Sequence, residues 1–286
     1  MRWSRRRFLG GIGGLLLVGC AGPRVRPTPT AGGTPAVTAV LPNADLAVGR
    51  NRFLLGLLDA QNRPITDAQV HLRFYFLDDP APRVRTEGEA VFRGEGLGPQ
   101  GLYVATVEFP EPGRWGVEVL ARRPAQVLPP TRWQFSVQPQ SQTPPLGSPA
   151  IPSRNPTVRD VADPTRLCSA APPCPLHDRV IAEVLAAGRP LVLYFATPGY
   201  CVSRVCGPGL TVVLALWEAY RDRADFVHIE IYADPGTRTV APTVQEWRLP
   251  SEPWLFLIDR QGRVAEKFEA GLTRAEVEPA LRRLLA

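Results

Sequence analysis

The chain is poor in several residue types that would give it an obvious chemistry. Of its 33 basic residues only Lys267 is a lysine, its single methionine is Met1, and it has three histidines, His71, His177 and His228. A soft-metal site needs several convergent ligands, and the first half offers His71 with no thioether and no second imidazole, so His71 reads as a strand residue satisfied by its neighbours. The one glycine-rich apolar run, residues 10–19, is far short of the roughly 20 residues that span a bilayer. No internal repeat is present, which excludes solenoid and propeller arrays.

What the N-terminus does contain sets the compartment. Ser4-Arg5-Arg6-Arg7-Phe8-Leu9 resembles the twin-arginine export signal, and Leu17-Val18-Gly19-Cys20 resembles a bacterial lipobox. The resemblance implies that residues 1–19 are a signal peptide, that Cys20 is lipidated, and that the mature chain is held on the outer face of the bacterial cell membrane. Arg2, Arg5, Arg6 and Arg7 then leave with the signal, so that 33 − 4 basic residues face 27 acidic ones, a net +2. A charge so close to neutral gives no electrostatic footprint for nucleic acid.

With Cys20 set aside, four of the five cysteines remain: Cys168, Cys174, Cys201 and Cys206. An even number in an exported chain favours disulfides. Short loops close at the least entropic cost, which favours Cys168–Cys174 as a structural disulfide and Cys201–Cys206 as a second pair.

Prolines mark the organisation. Residues 20–41 form a polar Pro/Gly/Thr tether, and a Pro-rich linker over 138–165 separates two hydrophobic blocks. In the first block, 42–137, segments such as Val70–Phe76 and Leu102–Phe109 alternate apolar and polar residues without an amphipathic helix. That pattern predicts an all-β sandwich. The run from Gly101 to Trp115 resembles Ig-like modules of exported bacterial proteins, including YtkA-like ones. The block shows no chemistry of its own and reads as a spacer or docking domain.

The second block, 166–286, changes class. A helix is expected over Asp178–Gly188 with Asp178 as N-cap and Gly188 as terminator. A fully apolar strand follows at Leu191–Ala196, then a helix containing Leu210, Val213, Leu214 and Trp217, and a strand from Asp225. Strands at Trp254–Ile258 and Val264–Phe268 are joined by a turn at Asp259–Arg263. A last helix is opened by a Thr273/Glu276 capping box. Helix, strand, helix, strand, helix, β-hairpin, helix is the thioredoxin order, and Cys201-Val-Ser-Arg-Val-Cys206-Gly-Pro at the end of the first strand resembles a thioredoxin active site. Gly209 stands where the family's second cysteine would be. The fold class implied is an α/β thioredoxin-like domain behind an all-β Ig-like sandwich.

The resemblance further implies that Pro253 is the family's cis-proline, presenting the substrate backbone, with Glu252 and Trp254 beside the substrate. Cys206, just before a helix N-terminus, is expected to be the more reactive thiol and Cys201 its partner. A carboxylate at Glu252 departs from the small or β-branched residue usual there and disfavours a nearby thiolate. Cys168, Cys174 and His177 lie within ten residues and could join Cys201 and Cys206 in a soft-metal or thiol-relay cluster. A Sco-like copper carrier, however, places its histidine late in the chain, where this sequence has none.

The leading expectation is thiol–disulfide exchange with thiols or disulfides of exported proteins, with no cofactor and no metal. A non-catalytic binding module with structural disulfides and a copper chaperone are the alternatives. The cysteine pattern of peroxiredoxins is absent.

Overall fold

Alternation of buried and exposed side chains along the strands lays out the first block of the computed structural model, which describes residues 37–234 and 236–286. The export motif, the lipobox and Cys20 lie outside the described residues. The strands are β1 (Val37–Val40), β2 (Gly49–Asp59), β3 (Gln69–Phe76), β4 (Val84–Arg93), β5 (Leu102–Phe109), β6 (Gly113–Arg123), β7 (Gln126–Val127) and β8 (Thr131–Val137). They pair antiparallel in the order β1-β2-β5-β4-β3-β6-β7, with β8 on β6. Phe53 of β2 meets Phe74 of β3 edge-on at 5.0 Å, and Phe74 meets Phe109 of β5 at 5.6 Å. Strand β3 is a ladder neighbour of neither β2 nor β5, so the rings touch across a two-layered core, the sandwich arrangement. The tether expected through residue 41 is shorter than that, because Val37 and Ala39 alternate inward and pair with β2.

The second block is a four-stranded sheet in the order β10-β9-β13-β14: β9 (Leu191–Ala196), β10 (Asp225–Glu230), β13 (Trp254–Ile258) and β14 (Val264–Glu269). β10 runs parallel to β9, β13 antiparallel to β9, and β14 antiparallel to β13. Between β10 and β13 lie the short pair β11 (Tyr232–Asp234) and β12 (Thr239–Val240). The helices are α1 (Ile181–Ala186), α2 (Cys206–Tyr220), α3 (Pro242–Glu246) and α4 (Arg274–Leu285). Period two divides β9 between two cores. Leu191, Leu193 and Phe195 pack with α1 and α3, whereas Val192, Tyr194 and Ala196 pack with α2, α4 and the cysteines. The coarse expectation, an all-β block followed by an α/β block, is what the structure contains. No helix among the described residues is long and apolar enough to cross a membrane.

Two helix starts differ from expectation. The Ile181 amide donates to the Asn155 side-chain oxygen at 2.8 Å, so the linker, not Asp178, caps α1. The Thr273 side chain makes no cap bond to a helix amide; its hydroxyl donates to Glu276 at 3.3 Å, and Glu276 also takes the Arg52 guanidinium of β2 at 3.0 Å.

The Pro-rich linker is not a free tether. Gly147 donates to the Val264 carbonyl at 2.7 Å and Ala150 to that of Gly262 at 2.8 Å, so the linker runs along the β14 edge. Lys267 closes the junction of the blocks, donating to Asp45, Ser141 and Thr143 at 3.2, 2.6 and 2.9 Å. Burial by itself would raise the Asp45 carboxyl, but Lys267 and the Ser141, Gln142 and Thr143 donors hold it below the usual range.

Candidate functional site

The loop from the end of β9 to the start of α2 carries Cys201 and Cys206. Cys206 is the first residue of α2 and fully buried, while Cys201 is half-buried between exposed Tyr200 and Val202. The Cys206 amide donates to the Cys201 sulfur at 3.4 Å, and the Ser203 hydroxyl lies 3.2 Å from it. A sulfur at the open N-terminus of a 15-residue helix collects the free amides and the positive end of the dipole. The Cys201 thiol is accordingly lowered to about 5, first by a hydrogen bond from the Cys206 thiol and then by Ser203 and the Cys206 and Val205 amides, against the opposing effect of burial. The Cys206 thiol is pushed up, because it donates to Cys201, is buried, and faces negative charge from Cys201 and Glu252.

This reverses the order of reactivity expected from the sequence. The tripeptide Cys206-Gly207-Pro208 pointed to Cys206, but the helix begins at that residue and draws its thiol into the core. The amides that favour a thiolate therefore point to Cys201, which the loop folds back over them. Gly209 has a packing reason: a Cβ there would collide with the Tyr194 hydroxyl, which donates to the Cys206 carbonyl at 2.9 Å.

Glu252 and Pro253 lie at the entry to β13, whose Trp254 pairs with Phe195 near the end of β9. The Glu252–Pro253 bond is cis. Glu252 is half-buried, and its carboxyl is raised by burial and by the Cys201 charge. Trp254 does not reach the surface where a substrate would dock. It is 2 % exposed, stacks near Phe256, donates to Ser251, and lies under the Lys267 ammonium. Its register puts it on the β13 face opposite the cysteines, a parity that adjacency to Pro253 conceals.

Cys168 and Cys174, expected as a disulfide, are separate buried thiols within a larger group. The Cys174 sulfur lies 3.2 Å from His177 Nε2 and 3.3 Å from His228 Nδ1, and the Cys168 sulfur lies 3.7 Å from His228 Nδ1. Such a set could hold a metal ion. Sequence reasoning gathered Cys168, Cys174 and His177 but left out His228, which lies 54 residues beyond Cys174 in β10. The only signal was an imidazole in the middle of a strand, flanked by Phe226, Val227 and Ile229 and on the face shared with its ladder partner Tyr194. The hydrogen bonds of the described residues bring neither imidazole to Cys201 or Cys206. The expected five-residue cluster is thus two sites. The Cys168 segment still covers the dithiol loop: the Gly199 amide donates to the Ser169 hydroxyl at 2.9 Å.

No family model matches the chain, and no curated protein matches it. Among solved structures it is similar to a protein described as a putative thiol:disulfide interchange protein DsbE from Chlorobium tepidum. That likeness has a TM-score of 0.38 and 15 % identity, and covers 50 % of this chain and 100 % of the other. It is also similar to a computer-redesigned β-sandwich protein, with a TM-score of 0.23 and 13 % identity over 35 % of this chain and 90 % of the other. At this level of likeness the functional reading rests on the geometry of the cysteines.

Proposed function

We propose that the C-terminal block is a thioredoxin-like domain that exchanges thiols and disulfides with exported proteins through Cys201 and Cys206. The observation that carries this reading is the division of labour between the two sulfurs. Cys201 is accessible and stabilised as a thiolate by the Cys206 thiol and the α2 amides, while Cys206 is buried against it and protonated. The strand order β10-β9-β13-β14 supports it as well, as does the approach of Glu252, next to Pro253 at the entry to β13, to both thiols.

In the reductive direction the Cys201 thiolate attacks one sulfur of a substrate disulfide. A mixed disulfide forms, and the departing substrate thiolate takes a proton from solvent. Cys206 then loses its proton, for which the Glu252 carboxylate is the nearby acceptor, and attacks the Cys201 sulfur. The second substrate thiolate leaves, two electrons have passed to the substrate, and Cys201–Cys206 is a disulfide; a dithiol reductant must restore it. In the oxidative direction the same steps run backwards. Exposed Tyr200 and Val202 beside Cys201 offer an apolar surface suited to an unfolded polypeptide. The twin-arginine motif and Cys20 support an extracytoplasmic, lipid-anchored setting.

The test is mixed-disulfide trapping with a disulfide-bonded protein substrate. Cys206→Ser should accumulate the covalent adduct and Cys201→Ser should form none. A Cys201–Cys206 pair that remains oxidised at potentials below about −300 mV, the range of structural disulfides, would sink the proposal.

A further inference from the structure

We propose that Cys168, Cys174, His177 and His228 bind one Zn²⁺ in a closed, four-coordinate site separate from the dithiol. All four residues are buried, and one donor atom from each lies within 4.8 Å of all the others. Bonds of about 2.3 Å to sulfur and 2.0–2.1 Å to nitrogen, set at the tetrahedral angle, separate S from N by about 3.6 Å. Three of the four sulfur–nitrogen separations here are 3.2, 3.3 and 3.7 Å.

The second nitrogen of His228 supports the assignment. Its Nε2 lies 3.2 Å from the Ala196 carbonyl, which can only accept, so Nε2 carries the hydrogen and Nδ1 presents its lone pair to the sulfurs. Backbone carbonyls hold metal-ligating imidazoles in this way. His177 brings Nε2 to the same point, with its ring centroid 4.8 Å from that of His228.

Two thiolates and two imidazoles suit Zn²⁺, which is borderline-soft and tetrahedral when no position is left open for water. Binding releases the two thiol protons to solvent, and the thiolates neutralise the dication, so the core gains no net charge. A Cys168–Cys174 disulfide would instead leave the buried His228 Nδ1 lone pair facing sulfurs that have no proton to donate.

The ion would fasten a segment with little regular structure of its own. Between the short 3₁₀ turn at Pro164–Arg166 and α1 the chain has no helix or strand, yet His228 donates from its backbone to Leu176 at 2.9 Å, and Ser169 lies over the dithiol loop. The site therefore ties this segment to β10 and, through Ser169, to the cover of Cys201.

The test uses the full chain, reduced and metal-free, titrated with Zn²⁺ alone in competition with a chromophoric chelator. One equivalent should bind. The Cys201→Ser/Cys206→Ser double variant should bind equally, and Cys174→Ser or His228→Gln at least about tenfold more weakly. Substituting Co²⁺ in the unaltered chain needs no variant to fold, and should give the intense visible bands of tetrahedral cobalt with thiolate charge transfer. Failure to bind one equivalent, an octahedral cobalt spectrum, or loss of binding in the Cys201/Cys206 variant would each overturn the assignment.

Discussion

The Tyr194 hydroxyl fills the space that any side chain at Gly209 would need. This single approach explains why the dithiol is built across the loop rather than along the helix. Tyr194 points from the middle of β9 toward α2, and it can donate to the Cys206 carbonyl only if the next turn of the helix is bare at 209. The partner cysteine therefore comes from upstream, at Cys201, where the helix amides also point.

Gly209→Ala should destabilise the chain by about 1–3 kcal/mol, the usual cost of overpacking a filled core, measured by urea unfolding. Tyr194→Phe in the same chain removes the colliding oxygen and should recover part of the loss, the ring carbon remaining 3.0 Å from the new Cβ. Gly209→Cys should not give a disulfide to Cys206, although it creates the C-x-x-C spacing of thioredoxins; a neutral Gly209→Ala would contradict the packing account.

Alkylation of the native reduced protein should be confined to Cys201 and should follow a midpoint near pH 5, instead of the value near 8.5 of an ordinary thiol. The sign follows from the thiolate being the nucleophile: above the midpoint the rate is flat, and it falls as acid protonates Cys201. Mass mapping of the modified cysteine and the rate–pH profile together check this. A midpoint above about pH 8, the ordinary thiol range, would show that the helix amides do not act on Cys201.

Replacing Glu252 by Gln should move that midpoint further down. The Cys201 charge raises the Glu252 carboxyl, after burial, so by reciprocity the carboxylate raises Cys201, and a neutral amide relieves it. Resolution of the mixed disulfide should slow in the same variant, since Cys206 loses its nearby proton acceptor. An unchanged midpoint together with unchanged resolution would remove Glu252 from the mechanism.

The chain's one lysine should matter far more than a surface lysine does. Lys267→Ala leaves the wholly buried Asp45 carboxylate without its counter-charge and should cost about 3–5 kcal/mol, with Asp45→Ala/Lys267→Ala losing less than the sum of the single variants. Asp45 is held below its ordinary value, so its contribution is present above about pH 4, the unfolded value, and is lost as acid protonates it in the folded chain. The Asp45→Ala variant should show a shallower loss of stability below about pH 4, read from urea unfolding at a series of acid pH values.

Strongly periodic elements could be read in advance. β3 and β5 alternate buried with half-buried or exposed positions residue by residue, and β9 is apolar throughout. Strand β4 could not, because Ala90 alone among its residues is buried, so it carries no hydrophobic period. It is held by its ladders to β3 and β5, which depend on residues far away in sequence.

The sequence by itself determined which cysteines would lie near one another, that Cys201 and Cys206 sit at the end of a buried strand before a helix, and that an all-β block precedes an α/β one. Those features are local: strand period, apolar runs, helix-start chemistry and short loops. Tertiary structure alone decided which thiol is exposed, that Trp254 lies on the face away from the cysteines, and that His228 joins Cys168, Cys174 and His177. Each of these depends on which face of an element meets which neighbour, and sheet register and helix phase set that across tens of residues of intervening chain.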